Sequence, residues 1–442
     1  MNNILHPARI VVVLFALAIL AGTLLLMLPA AHASGEGAPL MVAFFTSVSA
    51  ICVNGLVVVD TGTYWSGFGQ VTITALIQLG GFGMMTAATL LGLMVNRSSR
   101  LRTRLITQTE TRSLGMGDIA SVARIVLAVT VILQVTLAAI LLARLHFGYD
   151  LPWRESLWSA VFHAVSAFNN AGFSLHADSL TRYAGDALVL VPIMVAFVIG
   201  GIGFPVLHDL RHRLRDPRHW SLHTKLTLVG SLVLLAGGCV AVLLFEWNNV
   251  ATLGSMSWFD KLMNGMFISA AARTAGFNTV DFGALSPESW ALHYLLMFIG
   301  GGSAGTAGGV KVGTIMILAL LVIAEARGHS DTEAFGRRVA VSAQRQAVTV
   351  LVLGSVIVAF GTLLLLGISH FPTDQVIFEV ISAFGSAGLS TGITASLPPE
   401  GQLVLAALMF IGRVGTITFA TSLVLGERRM PYRYPEDHPI VG

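Results

Sequence analysis

Four short stretches of the chain share a glycine-centred pattern that could coordinate a cation through backbone carbonyl groups. Each follows an amphipathic segment that contains a Ser-Ala pair. The four are Cys52-Val53-Asn54-Gly55, Asn169-Asn170-Ala171-Gly172, Arg273-Thr274-Ala275-Gly276 and Gly385-Ser386-Ala387-Gly388. Four such strands around one axis would offer rings of carbonyl oxygens in place of a cation's hydration shell. One such loop is more often a buried kink, but four in register predict an ion pore.

The composition places these strands in a membrane protein. Of 442 residues, 55% are hydrophobic and 11% are charged, against about 25% charged in soluble domains. The mean hydropathy is +0.78, and several apolar runs exceed the ~20 residues that cross a bilayer. Two cysteines, Cys52 and Cys239, lie far apart and predict neither a disulfide framework nor a metal cluster. We expect an all-α integral membrane protein in a lipid bilayer, with no nucleic-acid partner.

Each strand belongs to a repeat of span, short helix, strand and span. In each repeat, a similar number of residues separates the strand glycine from the glycine cluster of the second span. The spacings are 25 residues (55 to 80), 28 (172 to 200), 24 (276 to 300) and 24 (388 to 412). The repeats predict eight spans around one pseudo-four-fold pore. The predicted segments are repeat one, 1–96; a linker, 97–118; repeat two, 119–210; a linker, 211–225; repeat three, 226–325; a linker, 326–345; repeat four, 346–425; and a tail, 426–442.

The distribution of charged residues and the first apolar run predict which side of the membrane each loop and each terminus faces. Most of the 26 Lys and Arg residues fall at the N-terminus, in the three linkers and in the tail. By the positive-inside rule the linkers and both termini are cytoplasmic, and the short helices enter from outside. Residues 8–29 before Ala31-His32-Ala33 are also compatible with a cleaved signal peptide. Their length and the spans that follow favour an uncleaved first span.

The second spans differ between repeats in a way that predicts a gate. Arg413 occupies the place that Gly81, Gly201 and Gly301 hold in the other repeats. An arginine within a span is costly and marks a functional site. The third repeat has a run too rich in glycine for a stable helix, since each glycine costs about 1 kcal/mol. The run comprises Gly300, Gly301, Gly302, Ser303, Ala304, Gly305, Thr306, Ala307, Gly308, Gly309 and Lys311. It predicts a broken helix with a gating loop at about 300–313; an inert kink is the alternative.

Other polar residues near the strands have plainer interpretations. We expect the Arg273 side chain to point behind its strand, because it would repel a cation in the pathway. Asp60 and Asp281 follow strands in outer loops and either concentrate cations at the mouth or are ordinary solvated acids. His163 and His293 are predicted to be core residues, because they lack the spacing of a metal site. Lys311 does not belong to a phosphate-binding loop, because no strand precedes it.

These motifs resemble the Trk/Ktr/HKT superfamily of potassium transporters over essentially the whole chain, and most closely the membrane subunits of bacterial Ktr systems. Beyond the four strands, the resemblance includes Val59-Asp60-Thr61-Gly62 and the tail Tyr432-Arg433-Tyr434-Pro435-Glu436. It implies K⁺ selectivity from the strand glycines, a gating loop at 300–313 and a gate arginine at Arg413. Asn54 departs from the family pattern, in which we expect threonine, although its carbonyl can still coordinate K⁺.

The resemblance also implies an assembly. It predicts a homodimer with one pore per subunit in the bacterial inner membrane. A cytoplasmic ring of KtrA- or TrkA-like nucleotide-binding subunits would regulate it against the basic inner face. That ring, and not this chain, would bind the nucleotide.

We therefore expect passive, gated K⁺ uptake, driven by a membrane potential worth ~2.3 kcal/mol per charge per 100 mV. A Na⁺-coupled symporter or another carrier of the same fold is the alternative, with Na⁺ as a second ion. Carrier repeats are commonly inverted, whereas these four run the same way. An intramembrane enzyme would need convergent catalytic residues, which the sequence does not offer, so we expect no enzymatic activity.

Overall fold

The computed structural model describes residues 7–104 and 116–415, with side chains over 11–86 and 124–415. It is built almost entirely of helices. The first eight are α1 (Pro7–Leu26), α2 (Leu40–Ile51), α3 (Thr61–Tyr64), α4 (Gly67–Arg104), α5 (Met116–Gly148), α6 (Trp153–Phe168), α7 (Ala187–Ile202) and α8 (Phe204–Arg213). The others are α9 (Leu222–Glu246), α10 (Trp258–Ala271), α11 (Pro287–Phe298), α12 (Val312–Ala326), α13 (Val341–Ile368), α14 (Thr373–Gly385) and α15 (Pro399–Phe410).

Short elements complete the described chain. A π-helical turn, Ile411–Gly415, continues α15. Strands β1 (Glu333–Ala334) and β2 (Arg337–Arg338) pair antiparallel between α12 and α13. Single 3₁₀ turns occupy Pro29–Ala31, Thr181–Tyr183, Pro217–His219, Phe282–Ala284 and Thr394–Ser396. The predicted tail 426–442, the end of the fourth repeat from 416 and residues 105–115 of the first linker lie outside the described residues.

Four short helices, α2, α6, α10 and α14, form the centre of the molecule and end at the four glycine strands. They contain 12, 16, 14 and 13 residues. At ~1.5 Å per residue, such helices are too short for the ~30 Å hydrocarbon core. Three begin directly after a proline, and α10 begins directly after Ser257, whose side chain accepts from the Asp260 N–H. Their last two turns are buried, except that Val165 on α6 and Met266 on α10 are partly exposed.

Longer helices surround this centre and turn apolar side chains outward. In the described part, segments of α4, α5, α9 and α13 are long and apolar enough to cross a membrane, and the bent pair α7–α8 makes a fifth. Leu232 and Leu244 on α9 and Leu363 on α13 are exposed, as suits contact with lipid. The other predicted spans are shorter or extend past residue 415, so the count of eight stays a prediction.

The segment predicted as one span over 187–210 is divided at Gly203. Helices α7 and α8 meet there at 98°. Gly203 has φ +101°, a conformation that glycine adopts readily and other residues do not. The Phe204 N–H donates to the Ala304 carbonyl of the glycine-rich loop at 3.2 Å. Pro205 stands in the first turn of α8, where proline suits the start of a new helix, so both the local sequence and the contact with the third repeat favour the break.

Candidate functional site

The four strand glycines meet in a closed ring. All have positive φ, with values of +100°, +68°, +76° and +74° in chain order. A Cβ atom added to each glycine would press on a carbonyl oxygen of the next repeat, that of the residue just before the next glycine. The pairs are Gly55 with Ala171 (2.5 Å), Gly172 with Ala275 (3.0 Å), Gly276 with Ala387 (3.1 Å) and Gly388 with Asn54. The four strands therefore lie in chain order around one axis, each glycine against a neighbour's carbonyl group.

A second conformational feature recurs in all four strands. The residue two positions before each glycine also has positive φ, although none of these residues is glycine. They are Val53 (54°), Asn170 (60°), Thr274 (83°) and Ser386 (53°). Such a backbone is a genuine outlier for β-branched residues like Val53 and Thr274 and costs about 1–3 kcal/mol each. The same unusual conformation therefore recurs at the equivalent position of all four strands.

Each strand is held by the end of its own short helix. In repeats one, two and four, the N–H before the glycine donates to the serine carbonyl of the Ser-Ala pair. These bonds are Asn54 to Ser49 (2.8 Å), Ala171 to Ser166 (2.8 Å) and Ala387 to Ser382 (2.9 Å). In repeat three the donor Ala275 reaches Ala271 instead, at 2.9 Å. Ser269, which stands seven residues before its strand glycine where the other serines stand six, does not accept such a bond, and its hydroxyl donates to the Leu235 carbonyl at 2.9 Å.

Asn54, which departs from the family pattern, joins the first strand to the fourth repeat. Its Nδ2 donates to the carbonyl oxygens of Ser382 (3.2 Å) and Ala383 (3.0 Å) at the end of α14. Its Oδ1 accepts from the Leu56 N–H at 3.3 Å. A threonine hydroxyl has only one hydrogen to donate, so it could not make both bonds.

Arg273 points away from the ring, as the sequence predicts. Its Nη1 donates to the Ser231 carbonyl at 3.1 Å, and its Nη2 donates to the Ser231 hydroxyl at 3.2 Å. Ser231 lies on α9, behind the third strand. The residue can therefore contribute only its backbone carbonyl to a cation pathway.

The glycine-rich run of repeat three is a buried loop between α11 and α12, so the helix is broken there. The Gly300 N–H donates to Val310 at 2.8 Å, which closes the base of the loop. The Lys311 ammonium donates to the carbonyl groups of Ala307 (2.5 Å) and Gly308 (3.3 Å) and so ties down its last turn.

The loop is docked on the broken end of α7. The Gly302 N–H donates to the Gly201 carbonyl at 2.8 Å, and the Thr306 N–H donates to the Gly200 carbonyl at 3.1 Å. A helix end leaves its last carbonyl groups without intrahelical partners. The break at Gly203 therefore supplies the acceptors that the loop uses.

Thr306 connects this loop to both the ring and Arg413. Its carbonyl oxygen accepts a hydrogen bond from Arg413 Nη1, and its hydroxyl donates to Asn170 Oδ1 at 3.1 Å. The Asn170 Nδ2 donates to the Thr274 hydroxyl at 3.3 Å. A single residue thus touches the second strand, and through it the third, as well as the fourth repeat.

Arg413 is a buried cation with few partners. Its side chain, on the π-helical turn, is 1% exposed. Within the described residues, its Nε and Nη2 atoms have no hydrogen-bond partner. Leaving a buried charge so poorly compensated is strongly destabilising.

The hydroxyl of Thr306 gives a first prediction. Thr306→Val keeps the side-chain shape but removes the bond to Asn170, a net loss of about 0.5–1.5 kcal/mol. We expect basal Rb⁺ flux through reconstituted protein to rise about two- to tenfold. Thr349→Val is the matched control, because the Thr349 hydroxyl only bonds the Arg345 carbonyl one turn earlier on α13. Equal flux in the two variants would contradict the role of Thr306.

The outer acids and the core histidines have local partners. Asp60 accepts from the Gly62 N–H and Asp281 from the Gly283 N–H, so each caps a turn. A role in concentrating cations stays a prediction. Nearby, the Arg182 guanidinium donates to Asp178 at 2.7 Å and lowers the pKa of that carboxyl.

Both histidines lie in the core, as predicted. Each places Nδ1 against the carbonyl four residues earlier, His163 at 2.8 Å and His293 at 2.6 Å. Across the described ranges, no group of three or more His, Cys, Asp or Glu residues could hold a metal ion.

Comparison with known proteins identifies the family of the chain. The model of the TrkH family, described as a cation transport protein, matches residues 3–428. The chain is 39% identical to the Ktr system potassium uptake protein B of Bacillus subtilis, over 99% of this chain and 97% of that protein. It is 33% identical to the potassium/sodium uptake protein NtpJ of Enterococcus hirae, over 99% and 98%.

A solved structure shows the same fold. The potassium transporter TrkH from Vibrio parahaemolyticus superimposes with a TM-score of 0.73, at 18% identity, over 94% of this chain and 85% of that one. The family is one of transport proteins, not of enzymes. The chain therefore belongs to the TrkH family of cation transport proteins.

Proposed function

We propose that this chain is the ion-conducting subunit of a K⁺ uptake system, with passive permeation through the ring of strand carbonyl groups. The observation that carries the proposal is the closed cycle of contacts among Gly55, Gly172, Gly276 and Gly388. The printed functions of its relatives, potassium uptake in one and potassium/sodium uptake in another, support K⁺ as the ion.

The helices before the strands favour a cation. Each of α2, α6, α10 and α14 ends at a strand, and a helix C-terminus carries about half a negative elementary charge. The strands themselves supply carbonyl oxygens, the ligands that replace water around K⁺. Entry is then driven by the membrane potential, with no reaction on this chain.

The loop at 300–313 is the proposed gate. It is buried, and its Thr306 carbonyl is bonded to Arg413, so a cation approaching from the inner side meets Arg413 and the Lys311 ammonium. Repulsion by these two charges would oppose conduction until the loop moves. An inert kink would not need a buried arginine against it.

We further propose the assembly expected from the sequence: a homodimer in the bacterial inner membrane, both termini cytoplasmic, regulated by a KtrA- or TrkA-like nucleotide-binding ring. The supporting observation is the cationic inner linker, in which Arg211, Arg213, Arg215 and Arg218 are exposed around the end of α8. The printed name of the B. subtilis relative, a protein B of a Ktr system, fits a multi-component assembly.

A Na⁺-coupled K⁺ symporter is the second candidate, favoured by the potassium/sodium function printed for the E. hirae relative. One experiment separates the two. Purified chain in proteoliposomes is given an inside-negative potential, and uptake of radioactive Rb⁺ is measured with and without external Na⁺ and K⁺. Passive permeation predicts Na⁺-independent uptake that K⁺ competes away. Uptake that requires a Na⁺ gradient would establish the symporter, and no Rb⁺ uptake at all would overturn both.

A further inference from the structure

A buried carboxylate stands directly behind the outer end of the fourth strand. Glu379, on α14, is 0% exposed. Its Oε1 accepts from the Ser390 hydroxyl at 2.6 Å and from the Thr391 N–H at 3.0 Å, and its Oε2 accepts from the Thr394 hydroxyl at 2.7 Å. All three donors belong to the segment just after Gly388. Glu379 therefore ties the short helix to the chain that leaves the ring.

This carboxylate has no cationic partner among the described residues. A buried, unpaired carboxylate is costly even when hydrogen-bonded. An apolar residue here would pack without that cost, as Phe267 does nine residues before the third strand glycine. The bonds to the strand are what the carboxylate adds.

The same connection recurs in the second repeat with different chemistry. Glu379 precedes its strand glycine by nine residues, and Ser390 follows it by two. At those positions in repeat two stand His163 and Ser174, and His163 Nε2 lies 3.0 Å from the Ser174 hydroxyl. Because His163 Nδ1 faces the Ser159 carbonyl, Nδ1 carries the hydrogen and Nε2 accepts from Ser174. Glu379 and His163, although chemically different, thus each accept a hydrogen bond from the serine two residues after the strand glycine.

Repeats one and three lack this connection. Their corresponding pairs are Thr46 with Val57 and Phe267 with Asn278, and in each pair one member is apolar, so no such hydrogen bond can form. Since the strands follow chain order around the axis, repeats two and four are opposite each other. The polar braces therefore occupy one diagonal of the ring.

We infer that Glu379 and His163 are positioning residues that set ion selectivity by fixing the outer ends of two opposite strands to their short helices. The inference rests on the proposed function. In the snug-fit account of selectivity, a carbonyl ring discriminates against Na⁺ because it does not contract around the smaller ion. A brace across one diagonal resists that contraction. The Glu379 brace also fixes Thr391, whose carbonyl oxygen lies 3.0 Å from the place of a Cβ atom on Gly283 in the third repeat's outer loop.

The test compares Rb⁺ uptake, competed by Na⁺ or by K⁺, in Glu379→Ala, Glu379→Gln and Ser390→Ala. Glu379→Ala removes the three hydrogen bonds that tie the short helix to the segment after Gly388. We expect Na⁺ to compete about tenfold better in Glu379→Ala, which corresponds to about 1.4 kcal/mol. Ser390→Ala, which loses one bond, should change competition about threefold. Glu379→Gln keeps one acceptor oxygen for the strand and should lie closest to the unmodified chain.

Glu246→Ala is the matched control. Glu246, at the end of α9, is also 0% exposed and accepts from the hydroxyls of Ser286 (2.7 Å) and Thr252 (2.6 Å). It contacts no strand residue in these bonds. Its removal should lower thermal stability in detergent and leave the K⁺-to-Na⁺ competition ratio unchanged.

The outcomes separate clearly. Unchanged competition in Ser390→Ala, with unchanged competition or loss of folding in Glu379→Ala, would overturn the inference. An equal shift in Glu246→Ala would also overturn it, since general loosening would then explain the result. A wild-type chain whose Rb⁺ uptake neither ion reduces would overturn the proposed function, and the inference with it.

Discussion

Gly276→Ser loses most of the preference for K⁺ over Na⁺ while the protein remains folded. A side chain at this position meets the Gly172 Cα at 2.8 Å and the Ala387 carbonyl oxygen at 3.1 Å, so the strands on both sides must move. The residue would also keep φ at +76°, which costs a non-glycine residue about 1–2 kcal/mol. We expect the ratio of K⁺ to Na⁺ competition for Rb⁺ uptake to fall by about tenfold or more.

Gly237→Ser supplies the matched control for this substitution. Gly237 lies on the outer face of α9, and a Cβ atom there meets nothing within 4 Å. This variant should retain the selectivity of the unmodified chain. Unaltered relative permeation in Gly276→Ser, at normal yield, would show that the third strand does not select ions.

Arg413→Ala should raise basal Rb⁺ flux about ten- to a hundredfold. The substitution removes both a buried positive charge beside the pathway and the hydrogen bond that holds the Thr306 carbonyl. Charge-assisted hydrogen bonds of this kind contribute about 1.5–3 kcal/mol, and that difference shifts a closed–open equilibrium in proportion. Deleting residues 303–309 should act in the same direction, because the loop then no longer reaches α7. Uptake into proteoliposomes without any partner protein measures both effects.

Arg413→Lys distinguishes the charge from the hydrogen bond. Lysine keeps the positive charge but lacks the planar set of donors of arginine. The Rb⁺ flux of Arg413→Lys should therefore lie between that of Arg413→Ala and that of the unmodified chain. Buried Arg273, which bonds Ser231 behind the ring, provides the comparison for loss of any buried arginine. If Arg413→Ala left flux flat or lowered it while expression held, the loop would not be a gate.

Local sequence was sufficient to predict the ring's membership and the broken third helix. Glycine is visible in a sequence, and a positive φ at Gly55, Gly172, Gly276 and Gly388 is the conformation that glycine alone adopts without strain. The direction of the Arg273 side chain, behind its strand, was predictable because a guanidinium group facing the pathway would repel a cation. These properties depend on one residue and its immediate neighbours.

The connections between repeats were beyond such reasoning. The bond from Arg413 to Thr306 joins residues 107 positions apart, and that from Thr306 to Asn170 joins residues 136 apart. The break at Gly203 resembles in sequence the unbroken Gly80-Gly81 cluster of α4 except for Pro205, and the contact with the docked loop of the third repeat is not visible in the sequence. Glu379 passed unnoticed because a single glutamate in a short helix carries no pattern.

The break between α7 and α8 in the second repeat bears on how the inner part of the ion pathway is hydrated. While the loop is docked, the carbonyl groups of Gly200 and Gly201 are paired with loop N–H groups. When the loop leaves, those acceptors must find other partners, since each one left unpaired in the interior costs about 1–3 kcal/mol. Water molecules are the available replacement. On the proposed gating, displacement of the loop and hydration of the inner pathway therefore occur together.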